Sequence, residues 1–219
     1  SAKQDKLISL KEYVDAMAEG QKYIYYAAGD STERLGKLPT AERVLDKGYD
    51  VLFLTDDVDE FALQMMRTYS DKEFRNIGGD DLGLESDEEK EALKQQNEEH
   101  KALFDAMKEA LGDKVAAVQM TRSLKGHPVC LTSQGALSIE MEKVLNSMPA
   151  QEEKVHSRKV LEVNGEHPVF KALEAVFNAD DKEKLSDYTE LLYDQALLIE
   201  GLPLEDPVAY ANLVCKLMQ

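Results

Sequence analysis

The chain has 219 residues, 43% of them hydrophobic and 32% charged, so it can form one large or two small globular domains. Its 43 acidic and 26 basic side chains give a formal charge of −17, and no basic patch is visible. Nucleic acid and anionic membranes are therefore excluded as partners, because binding to either needs clustered lysine and arginine.

No apolar run approaches the roughly 20 residues of a transmembrane helix, and the first residues lack a signal-peptide pattern. The chain starts without an initiator methionine, as a piece of a longer protein would. Cys130 and Cys215 lie far apart, each in apolar sequence. We predict two reduced, buried thiols in a cytoplasmic protein, with a disulfide between them as the less favoured alternative.

Residues 1–83 are predicted to form a small α/β domain. A capping box from Ser9 to Glu12 opens its first helix, which ends at Gly20. Continuous apolar strands separated by short helices are typical of βαβ units and of a small parallel sheet. The predicted elements that follow are a strand at 22–28, a helix at 40–47, a strand at 50–55 buried on both faces, a helix at 59–69 and a strand at 73–77.

Residues 84–111 are predicted to form one long connecting helix. A second capping box, from Ser86 to Glu89, opens an acidic stretch that is almost free of apolar residues. Farther on, apolar residues recur at helical spacing up to Gly112. We therefore expect a helix that is solvated at its start and docked at its end.

Residues 112–219 are predicted to form a second domain of the α+β type. Strands are expected at 115–121, 128–132 and 159–163, and residues 149–157 are polar and predict a mobile loop. Helices are expected at 135–148, 168–178, 183–200 and 206–218. The whole chain thus combines an α/β part with an α+β part, joined by the acidic helix.

No sequence motif indicates catalysis. The segment 29–37 follows a strand as a phosphate loop does, but six residues separate its glycines and Leu38 follows Lys37, so a simple strand-to-helix turn is favoured. The four histidines lack the spacing of a zinc site. No nucleophile lies in a recognisable turn, so we predict that the chain is not an enzyme.

Three carboxylates cluster after the second predicted strand. Asp56, Asp57 and Asp59 lie where α/β sheets place ligands, and carboxylate oxygens are suitable ligands for Mg²⁺. The favoured interpretation is a helix start, with one carboxylate as the cap and the others near the positive helix end. An Mg²⁺-dependent enzyme therefore remains a third-ranked alternative.

The predicted helix at 135–148 carries one apolar stripe. Taken alone, such a stripe favours core packing, although its methionines leave open an adaptable binding face. The stripe residues are Leu137, Met141, Val144, Leu145 and Met148.

The last two helices are apolar on more than one side. A two-layer domain can cover only one side of each, so the pattern predicts a homodimer in which two helices from each chain form a four-helix bundle. The predicted interface residues are Leu185, Tyr188, Leu191, Leu192, Leu198, Val208, Leu213 and Leu217.

Several long motifs resemble one protein family. They are KEYVDAMAEGQKYIYYAA at 11–28, KGYDVLFLTDDVDEFALQMM at 47–66, LGDKVAAV at 111–118, YDQALLIE at 193–200 and LEDPVAYANLVCKLM at 204–218. In this order along the whole chain, they resemble the ninety-kilodalton heat-shock chaperones, in particular their bacterial branch.

The resemblance implies a domain assignment. Residues 1–83 would be the last part of the family's middle domain, and residues 112–219 its C-terminal dimerisation domain. The family's ATP site and catalytic arginine would precede Ser1. The resemblance therefore implies no cofactor in this chain, with ATP and Mg²⁺ confined to the full-length parent.

The resemblance also implies unfolded or partly folded client proteins as partners. The family's exposed client-contacting helix corresponds to the 135–148 stripe, which reverses the preference for core packing and predicts a solvent-facing patch. A second client contact corresponds to Glu60 and Phe61. The alternative function is an acidic, dimeric protein-binding module without chaperone activity.

Overall fold

The computed structural model of the chain describes residues 1–79, 81–148 and 154–218. The chain divides into two compact units, the first formed by Ser1–Leu84 with Ser133–Arg158 and the second by Glu85–Thr132 with Lys159–Gln219. Among the helices of the described residues, none is both long enough and apolar enough to cross a membrane.

The first unit is built on a four-stranded sheet of order β2-β1-β4-β3. Strand β1 pairs in parallel with both β2 and β4, whereas β3 pairs antiparallel with β4. The prediction of a parallel sheet is therefore wrong in one respect, because the antiparallel edge strand β3 makes the sheet mixed. The elements of this unit are α1 (Leu10–Asp15), β1 (Tyr23–Ala28), α2 (Thr32–Leu35), α3 (Pro39–Asp46), β2 (Leu52–Leu54), α4 (Asp59–Met66), β3 (Thr68–Tyr69), β4 (Lys72–Asn76) and α7 (Ile139–Ser147).

Strand β1 organises the core of the first unit because both of its faces are covered. On one face, Ile24 and Tyr26 belong to a buried cluster that includes Tyr13 of α1. On the other face, Tyr25 stacks on Tyr49, with ring centroids 5.9 Å apart. The capping box of α1 at Ser9 is present as predicted, and it fixes where this helix begins.

The predicted helix at 59–69 ends earlier than expected. Helix α4 ends at Met66, and Arg67 has a φ of 62°, which no right-handed helix accommodates. The chain then forms the β3–β4 hairpin, whose turn has positive φ values at Ser70 and Asp71. Two consecutive positive φ values are typical of the hairpin turns that match strand twist. Because the usual Asn-Gly signal is missing, the sequence did not predict this hairpin.

Strand β2 lies at the edge of the sheet, and the prediction that it is buried on both faces is wrong. Leu52 is buried, but Phe53 and Leu54 are only half-buried. An edge strand has a neighbouring strand on one side only, which leaves its side chains less completely covered.

The second unit contains a three-stranded sheet of order β5-β7-β6, in which β5 and β7 are parallel. The predicted single long helix is instead two helices, because the chain bends at His100, where φ and ψ are −98° and 10°. The elements are α5 (Asp87–Glu99), α6 (Lys101–Leu111), a 3₁₀ turn (Gly112–Lys114), β5 (Ala117–Thr121), β6 (Val129–Gln134, with its end in the first unit), β7 (Arg158–Asn164), α8 (Pro168–Asn178), α9 (Lys182–Ile199) and α10 (Pro207–Leu217).

Helix α5 contacts the sheet of the second unit through an asparagine. The side-chain oxygen of Asn97 accepts a hydrogen bond from the backbone N–H of Met120 at 2.7 Å, and its amide donates to the carbonyl of the same residue at 3.3 Å. Strand β5 is an edge strand, so Asn97 satisfies backbone groups that would otherwise face solvent. Farther along, α6 buries the four apolar residues expected of its docked end, Leu103, Phe104, Met107 and Leu111.

Two smaller predictions have different outcomes. Cys130 and Cys215 are both free thiols, but only Cys130 is buried, so the prediction that both are buried is wrong for Cys215. Burial raises the pKa of the Cys130 thiol well above its ordinary value. The predicted loop at 149–157 falls largely on residues 149–153, which lie outside the described residues.

Residues 133–158 group with the first unit, although the sequence placed them in the C-terminal domain. Likewise, the helices predicted as a separate connector, α5 and α6, group with the second unit. The assignment of these residues to family domains stays a prediction.

Candidate functional site

Helix α7 carries the predicted client-contacting stripe, and most of that stripe does not face solvent. Met141 and Val144 are each 8% exposed, Leu137 and Leu145 are half-buried, and Met148 alone is exposed. The prediction of a solvent-facing patch is therefore wrong for Met141 and Val144. The physical reason is that α7 packs within the first unit, where its start is hydrogen-bonded to Glu60 and Gln64 of α4 and its later turns contact Val155 and Ser157.

The start of α7 is joined to α4 by a buried carboxylate. Ser138 caps α7, because its hydroxyl accepts a hydrogen bond from the backbone N–H of Met141 at 3.0 Å. The same hydroxyl donates to Oε2 of Glu60 at 2.7 Å. Oε1 of Glu60 accepts from the side chains of Asn76 at 2.6 Å and Tyr26 at 3.3 Å. This carboxylate thus connects α4, β1, β4 and α7.

Glu60 cannot act as an exposed client contact, because it is only 2% exposed. Burial raises the pKa of its carboxyl above the ordinary value, and the hydrogen bonds from Ser138, Asn76 and Tyr26 lower it in part. Such a carboxylate is costly to bury, and its donors offset that cost. Glu60 is therefore a structural residue of the α4–α7 contact, which corrects the role predicted from the resemblance.

Phe61 lies beside this contact and is half-buried. Together with Glu60, Met141 and Val144 it lines a small cavity of about 10 Å³, which is about the volume that one water needs. The amide nitrogen of Gln64, one turn farther along α4, donates to the carbonyl of Ala136 at 2.9 Å. The structure thus brings the two predicted client-contact regions together, but mainly as packing partners of each other.

The exposed apolar surface of α4 lies on its opposite side and was missed by the sequence analysis. Val58 is 69% exposed, Met65 is 86% exposed and Met66 is 48% exposed. Val58, Ala62 and Met65 are spaced by four and three residues, so they share one face of the helix. We call Val58, Ala62, Met65 and Met66 the α4 methionine face. The two adjacent methionines in the sequence could have indicated a binding face, because methionine adapts well to varied apolar partners.

The acidic cluster before α4 is neither a cap nor a metal site in the described residues. The N-cap of α4 is Val58, and no side chain caps this helix. Instead, the backbone N–H of Asp59 donates to the carbonyl of Asp56 at 2.9 Å, so a backbone turn replaces the predicted side-chain cap. Within 1–79, 81–148 and 154–218, no group of three or more His, Cys, Asp or Glu side chains is placed to hold a metal ion.

The segment from Gly29 to Lys37 is a strand-to-helix turn, as the favoured interpretation predicted. Strand β1 ends at Ala28, and the hydroxyl of Ser31 caps α2 by accepting from the backbone N–H of Arg34 at 3.3 Å. Helix α2 is only four residues long, and Gly36 caps its end.

Helices α9 and α10 form the predicted hairpin at the end of the second unit. Helix α10 begins cleanly at Pro207, since Asp206 caps it by accepting from the backbone N–H groups of Val208 and Ala209. Lys216, near its other end, forms ion pairs with Glu183 at 2.9 Å and Asp187 at 2.6 Å on α9. None of the residues of α10, all of which are described, is buried.

The predicted interface residues fall into three groups. Leu185 and Leu192 are already buried within the unit, so a partner could cover little of them and they are removed from the candidate interface. Leu198 is 49% exposed and Val208 is 69% exposed. The remaining residues, Tyr188, Leu191, Leu213 and Leu217, are half-buried. Met218 is a further exposed apolar residue at the end of the hairpin, and the interface prediction omitted it.

Comparison with known proteins agrees with the motifs. The family model described as Hsp90 protein matches residues 1–219. The chain is 54% identical over 219 residues to the chaperone protein HtpG of Clostridium perfringens and 51% identical over 218 residues to that of Bacillus subtilis strain 168. Each alignment covers all of this chain and 34% of the relative, so the chain spans about a third of their length. The chain therefore belongs to the Hsp90 family.

Proposed function

We propose that this chain is the client-contacting and homodimerising part of an ATP-dependent chaperone of the HtpG type. The observation that carries the proposal is helix α10, an apolar helix with no buried residue, in a chain whose relatives are named as chaperones. A formal charge of −17 keeps such a chain dispersed, so an apolar helix that its own unit covers only in part needs a specific partner. A second copy of the same hairpin completes a four-helix bundle.

The structure changes which residues we propose for client contact. The α4 methionine face replaces Glu60, Met141 and Val144, because a client can reach exposed side chains without unfolding the first unit. Phe61 and Leu137 lie partly exposed, as does Leu145, and Met148 is exposed beyond the end of α7. Methionine side chains are flexible and polarizable, which suits contact with varied apolar segments.

The proposal assigns ATP binding and hydrolysis to the part of the relatives that this chain does not align with. The segment from Gly29 to Lys37, which comes nearest to a phosphate loop in the sequence, forms a turn and a four-residue helix instead. We expect isothermal titration with Mg-ATP to give no saturable heat. Saturation at micromolar nucleotide would contradict this assignment.

Suppression of aggregation tests client contact. The chain should slow the aggregation of a chemically unfolded model protein in a light-scattering assay. Changing Met65 and Met66 together to Ser should weaken this activity severalfold, because it removes exposed apolar area, and should leave the melting temperature nearly unchanged. Leu7→Ser is the matched control, since Leu7 is fully exposed but lies outside the α4 methionine face.

The alternative is a dimeric protein-binding module without chaperone activity. The exposed hairpin supports this function equally well, because dimerisation does not require client contact. A chain that dimerises but fails to slow aggregation would favour the module. If the double methionine variant and Leu7→Ser lose the same share of the aggregation-suppressing activity, the α4 methionine face is removed from the proposal.

A further inference from the structure

A groove in the second unit is separate from both surfaces discussed so far. It has a volume of about 440 Å³ and runs between α6 and the turn that joins α8 to α9. Helix α6 contributes Ala106, Glu109 and Ala110. Glu109 and Ala110 follow Ala106 by three and four residues, so both lie beside it on the same helix face. Small alanine side chains at this face leave a channel where larger residues would form a ridge.

The floor of the groove is apolar. Two apolar side chains line it: Phe177, in the last turn of α8, is half-buried, and Leu185 of α9 is buried. An aromatic ring beside an aliphatic side chain can cover a large apolar side chain of a ligand.

The rim of the groove is acidic. Glu109 lies on one side, and Asp180 and Asp181 lie in the turn on the other, with Lys182 as the one basic lining residue among those described. The side chain of Asp181 caps α9 by accepting from the backbone N–H of Lys184 at 3.1 Å. Within the described residues, Glu109 and Asp180 pair with no basic side chain, so both carboxylates are available to a ligand.

We propose that this groove binds a basic, amphipathic peptide segment of a partner protein. One large apolar side chain would cover Phe177, and flanking arginine or lysine side chains would pair with Glu109 and Asp180. The volume lies within the range of ligand pockets and accommodates a few side chains rather than a folded domain. The acidic rim selects for a cationic segment, because like charges disfavour an acidic one.

The apolar floor and the acidic rim together fit a ligand that is both apolar and cationic. A metal ion would pair with the carboxylates but leave the apolar floor uncovered, and the described residues contain no cluster placed to hold one. An uncharged apolar segment would leave the two rim carboxylates without a partner. This peptide site is independent of the proposed chaperone function, which uses the α4 methionine face and the α9–α10 hairpin.

Fluorescence anisotropy with a labelled ten-residue peptide of alternating arginine and leucine tests the proposal. We expect saturable binding to the intact chain that weakens as salt is raised. A peptide with glutamate in place of arginine should not bind, and one with serine in place of leucine should bind at least about tenfold more weakly. Spermine, a cation without apolar groups, should compete poorly.

Variants of the groove locate the binding. Ala106→Leu should weaken binding by about tenfold, because it fills the channel on a helix that tolerates leucine well. Its matched control is Ala102→Leu, an exposed position one turn earlier on α6 that does not line the groove. Glu109→Lys should weaken binding several-fold, whereas Glu98→Lys, an equal charge change on α5, should have little effect.

Three results would overturn the proposal. They are no saturable peptide binding, equal weakening by Glu109→Lys and Glu98→Lys, and full binding by Ala106→Leu with an unchanged melting temperature. Asp180→Asn provides a second charge variant, since Asn tolerates the positive φ of 55° at this position. Loss of binding in this variant, with the fold intact, would support the site even if Glu109→Lys reduced stability.

Discussion

Helices α7 and α10 both carry an apolar stripe, but the two stripes are buried to different extents in the structure. Met141 and Val144 of α7 are covered, and the cap residue of this helix is hydrogen-bonded to a buried carboxylate of α4. No residue of α10 is buried, and its tie to α9 includes two ion pairs of Lys216 at the surface. One stripe is part of a core, whereas the other is not buried within its own unit.

The comparison shows that an apolar stripe predicts burial but not what covers it. Covering either helix contributes a similar free energy for each square ångström of apolar surface removed from water. What distinguishes α7 is the polar contact at its start, since Glu60 and Ser138 satisfy each other only when the helix is docked. Helix α10 has no such buried polar contact.

The largest expected effect is on α7. Met141→Ala should lower the free energy of unfolding by about 2 to 5 kcal/mol, because it creates a cavity in a covered contact. Met148→Ala, in the same stripe but 46% exposed, should change it by no more than about 0.5 kcal/mol. Chemical denaturation of both variants measures the difference. Equal small losses would show that α7 is not docked in solution.

Within α9, a leucine-to-alanine change at a buried position and at an exposed position should separate the effect on folding from the effect on dimerisation. Leu192→Ala should cost about 2 to 5 kcal/mol, because Leu192 is 4% exposed and buried within its own unit. Leu198→Ala should leave the fold nearly unaffected but shift the chain toward a lower mass in size-exclusion chromatography. If Leu198→Ala destabilises the chain as much as Leu192→Ala at every concentration, Leu198 is a core residue.

A smaller effect is expected from Glu60, and it depends on pH. Since burial raises the pKa of its carboxyl, the folded chain holds this proton at pH values where the unfolded chain has lost it. The contribution of Glu60 to stability is therefore fullest below its unfolded pKa and falls as pH rises through its folded pKa. Glu60→Gln should remove this fall, because an amide does not titrate.

Denaturation of the parent and of Glu60→Gln between pH 4 and pH 8 checks this sign. The two stability curves should diverge as pH rises, with the parent losing more. Parallel curves would show that Glu60 does not titrate differently in the folded state.

Most elements of the fold were predictable from local signals. The capping boxes at Ser9 and Ser86 fix two helix starts, and Asp206 with Pro207 fixes a third. The strands of both sheets were predicted within a few residues, except for β3. Its hairpin turn has Ser70 and Asp71 at positive φ, and the dipeptide Ser-Asp is not among those that predict such a turn.

The candidate sites were less predictable, because exposure depends on tertiary contacts. Met141 and Met148 belong to the same predicted stripe, yet Met141 is buried and Met148, which lies beyond the end of α7, is exposed. The buried role of Glu60 depends on Ser138, which lies 78 residues away in the sequence. A charged residue beside an apolar helix face is usually exposed, so only the three-dimensional contact reveals such a carboxylate.

Static light scattering of the intact chain and of Leu198→Glu tests the central claim, that the α9–α10 hairpin is an interface between two copies. At tens of micromolar, the intact chain should have twice the mass of one chain, and Leu198→Glu should have the mass of one. Leu7→Glu, an equal change at a fully exposed leucine outside the hairpin, should keep the doubled mass. An intact chain that scatters as a monomer at this concentration would contradict the account.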